Sequence, residues 1–299
     1  MKMPQQPGTA DPTAYRGRLA PTPSGWLHLG HAVTFSVAWQ RARYRHGSLL
    51  YRCEDLDPHR CRPAFSAGAL EDLRWWGLDW DEGPDSGGPC TPYVQSERLP
   101  LYRDVLASLI ASGHVYPSPH SRREIAAARP ARSPVDGDIL FPADLRQPET
   151  APQPNPEEPP PGLPFRFRVP DGRIVRFTDG HSGSHAFLAG RDFGDFLVWR
   201  REGVPAYELA VTVDDHFMAI TEVVRGEDLL LSTARQLLLY EALGWMPPAW
   251  YHCPLVIDPA TGKRMSKTHR SLGLRALREA GFPPGLEPAA YLRRLAPGP

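Results

Sequence analysis

Strand-like and helix-like segments alternate along this 299-residue chain, and their order limits the fold more than any other feature. Short apolar runs at 18–20 and 49–53 each lead into a loop and then into a helical pattern, at 27–44 and 63–77. A further helical pattern covers 97–112. A strand–loop–helix order of this kind is typical of a parallel sheet with crossover helices. The sequence therefore predicts an α/β fold.

A proline-rich stretch interrupts this order in the middle of the chain. Eight prolines lie within 147–164, and proline neither continues a helix nor donates a hydrogen bond in a central strand. The α/β order resumes after it, with strands predicted at 165–169, 173–177, 195–200, 207–213 and 223–226, a helix at 228–243 and a strand-like run at 255–257. We therefore expect two α/β halves separated by an extended, mobile insert.

Charge and composition exclude several classes of function. The 34 Lys and Arg residues balance the 34 Asp and Glu residues, which argues against nucleic-acid or membrane binding through bulk charge. No apolar run approaches the roughly 18 residues of a membrane span, and the polar N-terminus does not look like a secretory signal. The four cysteines match no zinc spacing. We expect a cytoplasmic monomer with free thiols and no membrane partner.

Two histidines stand where the helix at 27–44 begins. Because His28 and His31 are three residues apart, their imidazoles share a face near the helix N-terminus, where unpaired N–H groups favour phosphate. Gly30 leaves room for a flat base against the backbone. Two surface histidines at a helix start would show the same pattern, so this motif alone leaves both interpretations open.

The lysines of the chain are concentrated in one late segment. Only three of the 34 basic residues are lysines, and Lys263 and Lys267 both fall within 262–268. A glycine-flanked loop with two lysines and Ser266 can surround a polyphosphate through charge and hydrogen bonds. A solvated basic turn is the alternative interpretation.

Taken together, the two motifs resemble the HIGH and KMSKS elements of class I aminoacyl-tRNA synthetases. Four further segments are similar to the glutamyl/glutaminyl branch of that class: 18–25, 52–60, 207–216 and 223–236. The similar segments run in order over residues 16–270. The resemblance implies a Rossmann-type parallel sheet with an inserted subdomain and a short helical C-terminal segment.

The domain organisation that follows from the resemblance has five parts. They are a disordered tail at 1–14, the first half of the catalytic domain at 15–115, an inserted subdomain like those that bind the tRNA acceptor end at 116–194, the second half at 195–256, and the lysine loop with the C-terminal helical segment at 257–299.

The length of the chain refines the expected activity. A glutamyl-tRNA synthetase continues into an anticodon-binding domain, whereas only about 30 residues follow the lysine loop here. The chain is thus similar to the glutamyl-queuosine tRNA(Asp) synthetases. That family activates L-glutamate with ATP and attaches it to the queuosine base at the wobble position of tRNA(Asp). His31 is a departure, because that family often has Ser at this position.

The resemblance also implies roles for individual residues. Those expected to bind glutamate are Arg18, Ala20, Thr22, Glu54, Tyr207 and Arg225, with Glu54 and Tyr207 at the ammonium and the two arginines at the carboxylates. Those expected to bind ATP are His28, Gly30, His31, Met265, Ser266 and Lys267. His28, His31 and Lys267 are the expected catalytic residues, and Mg²⁺ is expected to accompany ATP.

Zinc is expected to be absent. The resembled family commonly carries four zinc ligands, but Ser118, His120, Phe141 and Leu145 stand at those positions here. One imidazole cannot hold a structural zinc ion, which takes four nitrogen or sulfur ligands.

Contact with RNA is encoded weakly. The candidates are Arg122, Arg123, Arg129, Arg132, Arg191, Arg200 and Arg201, each of which could equally belong to a solvated charged face.

Three other functions are consistent with parts of the sequence. A short glutamyl-tRNA synthetase that charges tRNA(Glu) would share the pocket, and His31 favours it. A nucleotidyltransferase of the same superfamily would leave Glu54, Tyr207 and Arg225 unexplained. An inactive paralogue that acts as a binding module would not need His28 and Lys267.

Overall fold

The computed structural model of the chain describes residues 14–128, 130–256 and 273–285. The strands are β1 (Arg16–Leu19), β2 (Ser48–Tyr51), β3 (Val115–Pro117), β4 (Phe165–Phe167), β5 (Ile174–Asp179), β6 (Gly183–Leu188), β7 (Phe196–Trp199), β8 (Glu222–Gly226) and β9 (Ala249–Cys253). The helices are α1 (Leu29–Tyr44), α2 (Pro63–Trp76), α3 (Leu99–Ala111), α4 (Arg122–Ala127), α5 (Tyr207–Phe217), α6 (Leu230–Ala242) and α7 (Leu274–Glu279). None of these described helices has the length and apolarity needed to cross a membrane.

The described residues fall into two compact units. The signature unit, which contains His28, comprises residues 14–97, 220–228, 249–256 and 273–285. The insert unit comprises residues 98–128, 130–219 and 229–248. The expected tail at 1–13 and the lysine loop at 257–272 lie outside the described residues, and the domain boundaries given above stay a prediction.

Parallel strand pairs form the centre of the signature unit. β1 pairs with β2 in parallel, and β8 pairs with β9 in parallel. The backbone N–H of Thr221, just before β8, donates to the carbonyl of Arg16 on β1 at 2.9 Å. Helix α1 packs against β1, β2 and β8. The predicted α/β fold with parallel strands and crossover helices is confirmed.

Apolar spacing explains how α1 packs. Leu29, Ala32, Phe35, Ala38 and Ala42 are its buried positions, three or four residues apart, so they form one stripe along the helix. They belong to a core of apolar side chains that also contains residues of α2, β2 and α7. Burial of each large apolar side chain in such a core contributes about 2 kcal/mol.

An ion pair between Arg41 of α1 and the buried carboxylate of Glu222 joins α1 to β8. Glu222 accepts hydrogen bonds from Nε and Nη2 of Arg41 at 2.6 and 2.7 Å and from the hydroxyl of Tyr15 at 2.9 Å. Burial alone would raise the pKa of Glu222, but the hydrogen bonds from Arg41 and Tyr15 outweigh burial and lower that pKa. Glu222 is therefore charged at neutral pH and orders the start of β8.

The insert unit is built on an antiparallel sheet. β4 lies between β3 and β7 and pairs antiparallel with both, and β5 and β6 form an antiparallel hairpin. Helix α5 packs against α3 and α6. The Asp195 carboxylate accepts from the Tyr116 hydroxyl at 2.6 Å, from Nη2 of Arg146 at 2.8 Å and from the backbone N–H of Val169 at 2.9 Å. One buried carboxylate therefore links four segments of this unit.

The strand predicted at 207–213 is wrong, because this segment belongs to helix α5. The structure buries this helix on nearly every side, including Leu209, Val211 and Val213. A short apolar run does not distinguish a strand from a helix that is buried all round. The three polar residues that follow, 214–216, continue the helix rather than close a strand.

The prediction of a strand at 255–257 is also wrong, because the strand lies a few residues earlier. The strand is β9, which ends at Cys253, and Leu255 and Val256 have no regular structure. Ile257 lies outside the described residues. The other predicted helices and strands are found within a few residues of their expected positions, and residues 147–164 contain neither helix nor strand.

A buried carboxylate without a hydrogen bond from the described residues lies between α2 and α7. Asp72 is fully buried, and neither of its oxygens has a hydrogen-bond partner among the described residues. Nη1 of Arg278 is 3.7 Å from Oδ1 of Asp72. Burial raises the pKa of Asp72 to about 6, although Arg278 and Arg275 act in the opposite direction.

We predict that Asp72→Asn stabilises the protein above pH 6. The folded-state pKa lies above the unfolded value, so the wild type loses stability as the pH rises from 4 through 6, whereas Asn stays neutral. Urea unfolding at pH 7.5 is expected to show a gain of about 2–3 kcal/mol, and the gain is expected to vanish near pH 4. Glu71→Gln, at an exposed position on the same helix, is the control. An equal gain at both pH values would contradict the prediction.

Candidate active site

The rings of His28 and His31 lie close together at the N-terminus of α1, with their planes inclined at 39°. His28 is the N-cap residue, and the two ring centroids are 3.8 Å apart. The backbone N–H of His28 donates to Nδ1 of His31 at 3.2 Å. Because Nδ1 of His31 accepts this hydrogen bond, a neutral His31 carries its proton on Nε2. Both rings thus lie at the helix end whose N–H groups and dipole favour anions.

Gly30 gives the His28 ring its space. A Cβ at position 30 would lie 3.0 Å from both Cε1 and Nδ1 of His28, tighter than an ordinary van der Waals contact. Any side chain at this position would push the imidazole away from the first turn of α1. The structure therefore gives a reason for glycine at position 30, which is the close approach of the His28 ring to the backbone. The sequence analysis gave a different reason, room for a base.

The described residues on either side of the lysine segment, Val256 and Gly273, lie beside the His28 turn. On the near side, Cβ of Val256 is 3.9 Å from the position that a Cβ of Gly30 would take. On the far side, His28 and Gly273 form an antiparallel β-bridge, and the N–H of Leu274 donates to the carbonyl of Leu27 at 2.8 Å. Met265, Ser266 and Lys267 themselves lie outside the described residues.

Trp26 joins the His28 loop to two helices, and sequence reasoning missed it. Its ring packs edge-on against Phe65 of α2 at 5.0 Å, and the guanidinium of Arg275 on α7 lies 4.3 Å above it. A Cβ on Gly68 of α2 would overlap Cζ3 of this ring. The available signal was Gly68 itself, because a lone glycine inside a helical pattern often marks a close packing contact.

Two buried arginines lie on neighbouring strands of the signature unit. Arg18 on β1 is 4% exposed, and its Nη1 donates to the carbonyl of Val224 on β8 at 2.7 Å. Arg225, the next residue on β8, is 5% exposed, and its Nε donates to Nε2 of His252 at 3.1 Å. His252 is opposite Arg225 in the β8–β9 register, a contact that the sequence analysis did not predict. The hydrogen bond to Val224 thus brings Arg18 to the strand that carries Arg225.

Glu54 lies beside the loop that follows β1. Its backbone N–H donates to the carbonyl of Pro21 at 3.1 Å, and Pro21 stands between Ala20 and Thr22. Its carboxylate, on a residue that is 7% exposed, accepts from Nη2 of Arg52 at 3.0 Å. Five of the six expected glutamate-binding residues are therefore in one unit.

Tyr207 is the sixth expected residue and belongs to the insert unit. It begins helix α5 and is 39% exposed. It starts a helix where the sequence predicted a strand, and its role at the ammonium stays a prediction.

The four positions that correspond to zinc ligands lie in the insert unit. The Ser118 hydroxyl accepts from Nε of Arg166 at 3.2 Å, and Nε2 of His120 is 3.2 Å from the carbonyl oxygen of Leu145. Phe141 is buried, with the Arg166 guanidinium 4.2 Å above its ring. This donor set contains a single imidazole and does not fit a structural zinc ion. Within the described residues, no three His, Cys, Asp or Glu side chains come together as a metal site.

The arginines proposed for RNA contact lie in different surroundings. Arg132 donates to the carbonyl of Gly137 at 2.8 Å, and Arg191 pairs with Asp192 at 2.8 Å. Three others, Arg122, Arg200 and Arg201, line the same cavity. Arg123 is exposed on α4, and Arg129 lies outside the described residues.

Comparison with known proteins gives a match over nearly the whole chain. Residues 14–296 match the family described as tRNA synthetases class I (E and Q), catalytic domain. The glutamyl-Q tRNA(Asp) synthetase of Nitratidesulfovibrio vulgaris is 47% identical over 281 residues, which cover 94% of this chain and 86% of that protein. The glutamyl-Q tRNA(Asp) synthetase of Symbiobacterium thermophilum is 47% identical over 271 residues, which cover 90% and 82%.

A solved structure supports the same fold. A glutamate tRNA ligase from Elizabethkingia meningosepticum, crystallised in complex with its amino acid, superimposes with a TM-score of 0.74 and 31% sequence identity. The match covers 90% of this chain and 53% of that one, so this chain spans about half the length of the ligase. The predicted resemblance, the class I fold and the assignment to a class of ligases are confirmed.

We predict that Gly68→Ala destabilises the protein when Trp26 is present and stabilises it when Trp26 is replaced by Ala. In the wild type the new methyl group overlaps the ring, and overpacking of this kind costs about 1–3 kcal/mol. In a Trp26→Ala background the overlap is gone, so the better helix propensity of Ala is expected to stabilise by about 0.5–1 kcal/mol. Urea unfolding of the four proteins measures both effects, and the same sign in both backgrounds would refute the contact.

Proposed function

The chain belongs to the class I tRNA synthetase (E and Q) catalytic-domain family, and on that premise we propose that it activates L-glutamate with ATP and transfers it to queuosine in tRNA(Asp). The observation that carries the proposal is the presence of a buried carboxylate and two buried guanidiniums, Glu54, Arg18 and Arg225, in the unit that holds His28. The relatives named glutamyl-Q tRNA(Asp) synthetase support the choice of acceptor.

Glutamate carries one positive ammonium and two negative carboxylates, so its binding site must contact charges of both signs. We assign the substrate ammonium to Glu54 and the Tyr207 hydroxyl, and the two substrate carboxylates to Arg18 and Arg225. Ala20 and Thr22 line the site through the backbone and a hydroxyl. A buried charge is stable when an opposite charge or a hydrogen bond compensates it, so a site with both signs of charge favours a substrate that carries both an ammonium and carboxylates.

ATP binding is assigned to the His28 turn and the lysine segment. His28, Gly30 and His31 stand at the N-terminus of α1, which suits phosphate and leaves space for a base. The positions of Val256 and Gly273 beside this turn support the assignment of Met265, Ser266 and Lys267 to the same nucleotide. Mg²⁺ is brought by ATP and neutralises part of the charge on its phosphates.

The reaction then has two steps. The glutamate α-carboxylate attacks the α-phosphate of ATP in line, which forms the glutamyl adenylate and expels pyrophosphate. A hydroxyl of the queuosine cyclopentene ring next attacks the acyl carbon of this mixed anhydride, which forms an ester and releases AMP. The protein contributes positioning and charge stabilisation. His28 and His31 act at the phosphates, and Lys267 acts at the charge that develops on pyrophosphate.

The proposal is tested with three RNA acceptors. Purified protein is incubated with ATP and labelled glutamate beside queuosine-containing tRNA(Asp), unmodified tRNA(Asp) or tRNA(Glu). We expect label only on the queuosine-containing tRNA. Label on tRNA(Glu) would support a glutamyl-tRNA synthetase instead, the alternative that His31 favours. Absence of glutamate-dependent pyrophosphate exchange would favour a nucleotidyltransferase or an inactive binding module.

We predict that Lys267→Ala slows glutamate-dependent pyrophosphate exchange by about 10²-fold or more. The loss of one preorganised cationic donor at the developing charge has an effect of this size. Lys263→Ala removes the same charge from the same loop and is the matched control, for which a much smaller loss is expected. Equal rates for wild type and Lys267→Ala would remove this lysine from the mechanism.

A further inference from the structure

We propose that a cationic cavity in the insert unit binds a backbone phosphate of the RNA substrate, an inference that rests on the proposed function. The cavity has a volume of about 410 Å³. Its polar lining includes Ser118, His120, Arg122, Arg166, Arg200 and Arg201.

The antiparallel sheet explains why these distant residues meet. Ser118 and His120 follow β3, Arg166 lies in the middle of β4, and Arg200 and Arg201 follow β7. Because β4 lies between β3 and β7 and runs antiparallel to both, the ends of β3 and β7 lie beside the start of β4, one residue before Arg166. Arg122 adds a fourth guanidinium from the first turn of α4.

Arg166 is held rigidly at the base of this cavity. Its Nε donates to the Ser118 hydroxyl at 3.2 Å, and its Nη1 donates to the backbone carbonyl of Asp195 at 2.9 Å. The guanidinium plane is supported by the ring of Phe141 at 4.2 Å. Burial lowers the pKa of Arg166 in spite of Tyr116 and Asp195, so an anion in the cavity would compensate a charge that is costly to bury.

The three outer arginines leave an excess of positive charge. Nη2 of Arg201 donates to the carbonyl of Pro119 at 3.2 Å, a contact that neutralises no charge. Nε of Arg200 is 3.3 Å from the carboxylate of Glu202, the one acidic residue of the lining. Arg122 has no ion-pair partner among the described residues. Four guanidiniums therefore face one carboxylate.

This excess favours an anion over the metal that the resemblance places here. Ser118 and His120 occupy two positions that correspond to zinc ligands, yet four guanidiniums around them would repel a divalent cation. A guanidinium presents a planar fork of N–H donors that matches a phosphate in a bidentate geometry. Leu197, which also lines the cavity and is 37% exposed, offers an apolar contact for a ribose or base beside the phosphate.

The experiment compares two double variants of the full-length protein. Arg122→Gln/Arg200→Gln removes two charges from the cavity and leaves the packed Arg166 in place. Arg103→Gln/Arg176→Gln removes the same number of charges from exposed positions of the same unit that do not line the cavity. The affinity for a tRNA(Asp) transcript is measured across a salt series, together with the thermal midpoint and glutamate-dependent pyrophosphate exchange.

We expect the cavity variant to bind tRNA(Asp) about tenfold more weakly than the wild type. The magnitude of the slope of log K against log salt is expected to fall by about one to two, because each lost phosphate contact removes roughly 0.9 from it. The control variant is expected to bind like the wild type, and both variants are expected to keep the wild-type pyrophosphate exchange and thermal midpoint. Equal weakening in both variants, or none in the cavity variant, would overturn the proposal. Failure of the proposed function has a different signature, because the wild type would then lack glutamate-dependent pyrophosphate exchange or would not label queuosine-containing tRNA(Asp).

Discussion

The pairing of Leu27 and His28 with Gly273 and Leu274 is the contact on which the candidate active site depends. It fixes the N-terminal end of α1 to the segment that follows the lysine loop, although some 245 residues separate them in the sequence. Leu274 is fully buried in the core of the signature unit, which contributes about 2 kcal/mol to this attachment. The contact of Arg275 with Trp26 adds a second attachment one residue later. These two contacts hold the residues that follow the lysine segment beside the N-terminal end of α1.

Burial of charge at the ends of parallel strands is the second constraint. Arg18 and Arg225 are held by a backbone carbonyl and an imidazole, Val224 and His252, which orient the guanidiniums without adding negative charge through those contacts. Elsewhere in the unit, structural arginines receive carboxylates, as Arg41 does from Glu222 and Arg16 does from Glu82. In both settings the hydrogen bonds fix the direction in which a buried guanidinium points.

The sequence predicted some elements well for physical reasons that can be identified. Helices α1 and α2 are bounded by loops and keep a regular apolar spacing, so local pattern sufficed. Helix α5 was mistaken for a strand because tertiary packing, and not local pattern, decides the structure of an apolar run that is buried on all sides. Arg18, Glu54 and Arg225 were found through the resemblance, which depends on motifs. Trp26 and His252 were missed because their roles arise from contacts with residues that only the fold brings near.

A buried carboxylate orders one corner of the sheet in the insert unit. A structural zinc ion joins several chain segments at one point through four ligands of the protein. Here the buried carboxylate of Asp195 serves that purpose with the opposite charge, because it accepts hydrogen bonds from Tyr116, Arg146 and Val169, which belong to three other segments. An anionic centre requires cationic and N–H donors around it. The backbone carbonyl of Asp195 also accepts a hydrogen bond from Arg166, whose guanidinium lies over the ring of Phe141. Asp195 therefore brings two arginines to this corner of the sheet, Arg146 through its carboxylate and Arg166 through its backbone carbonyl.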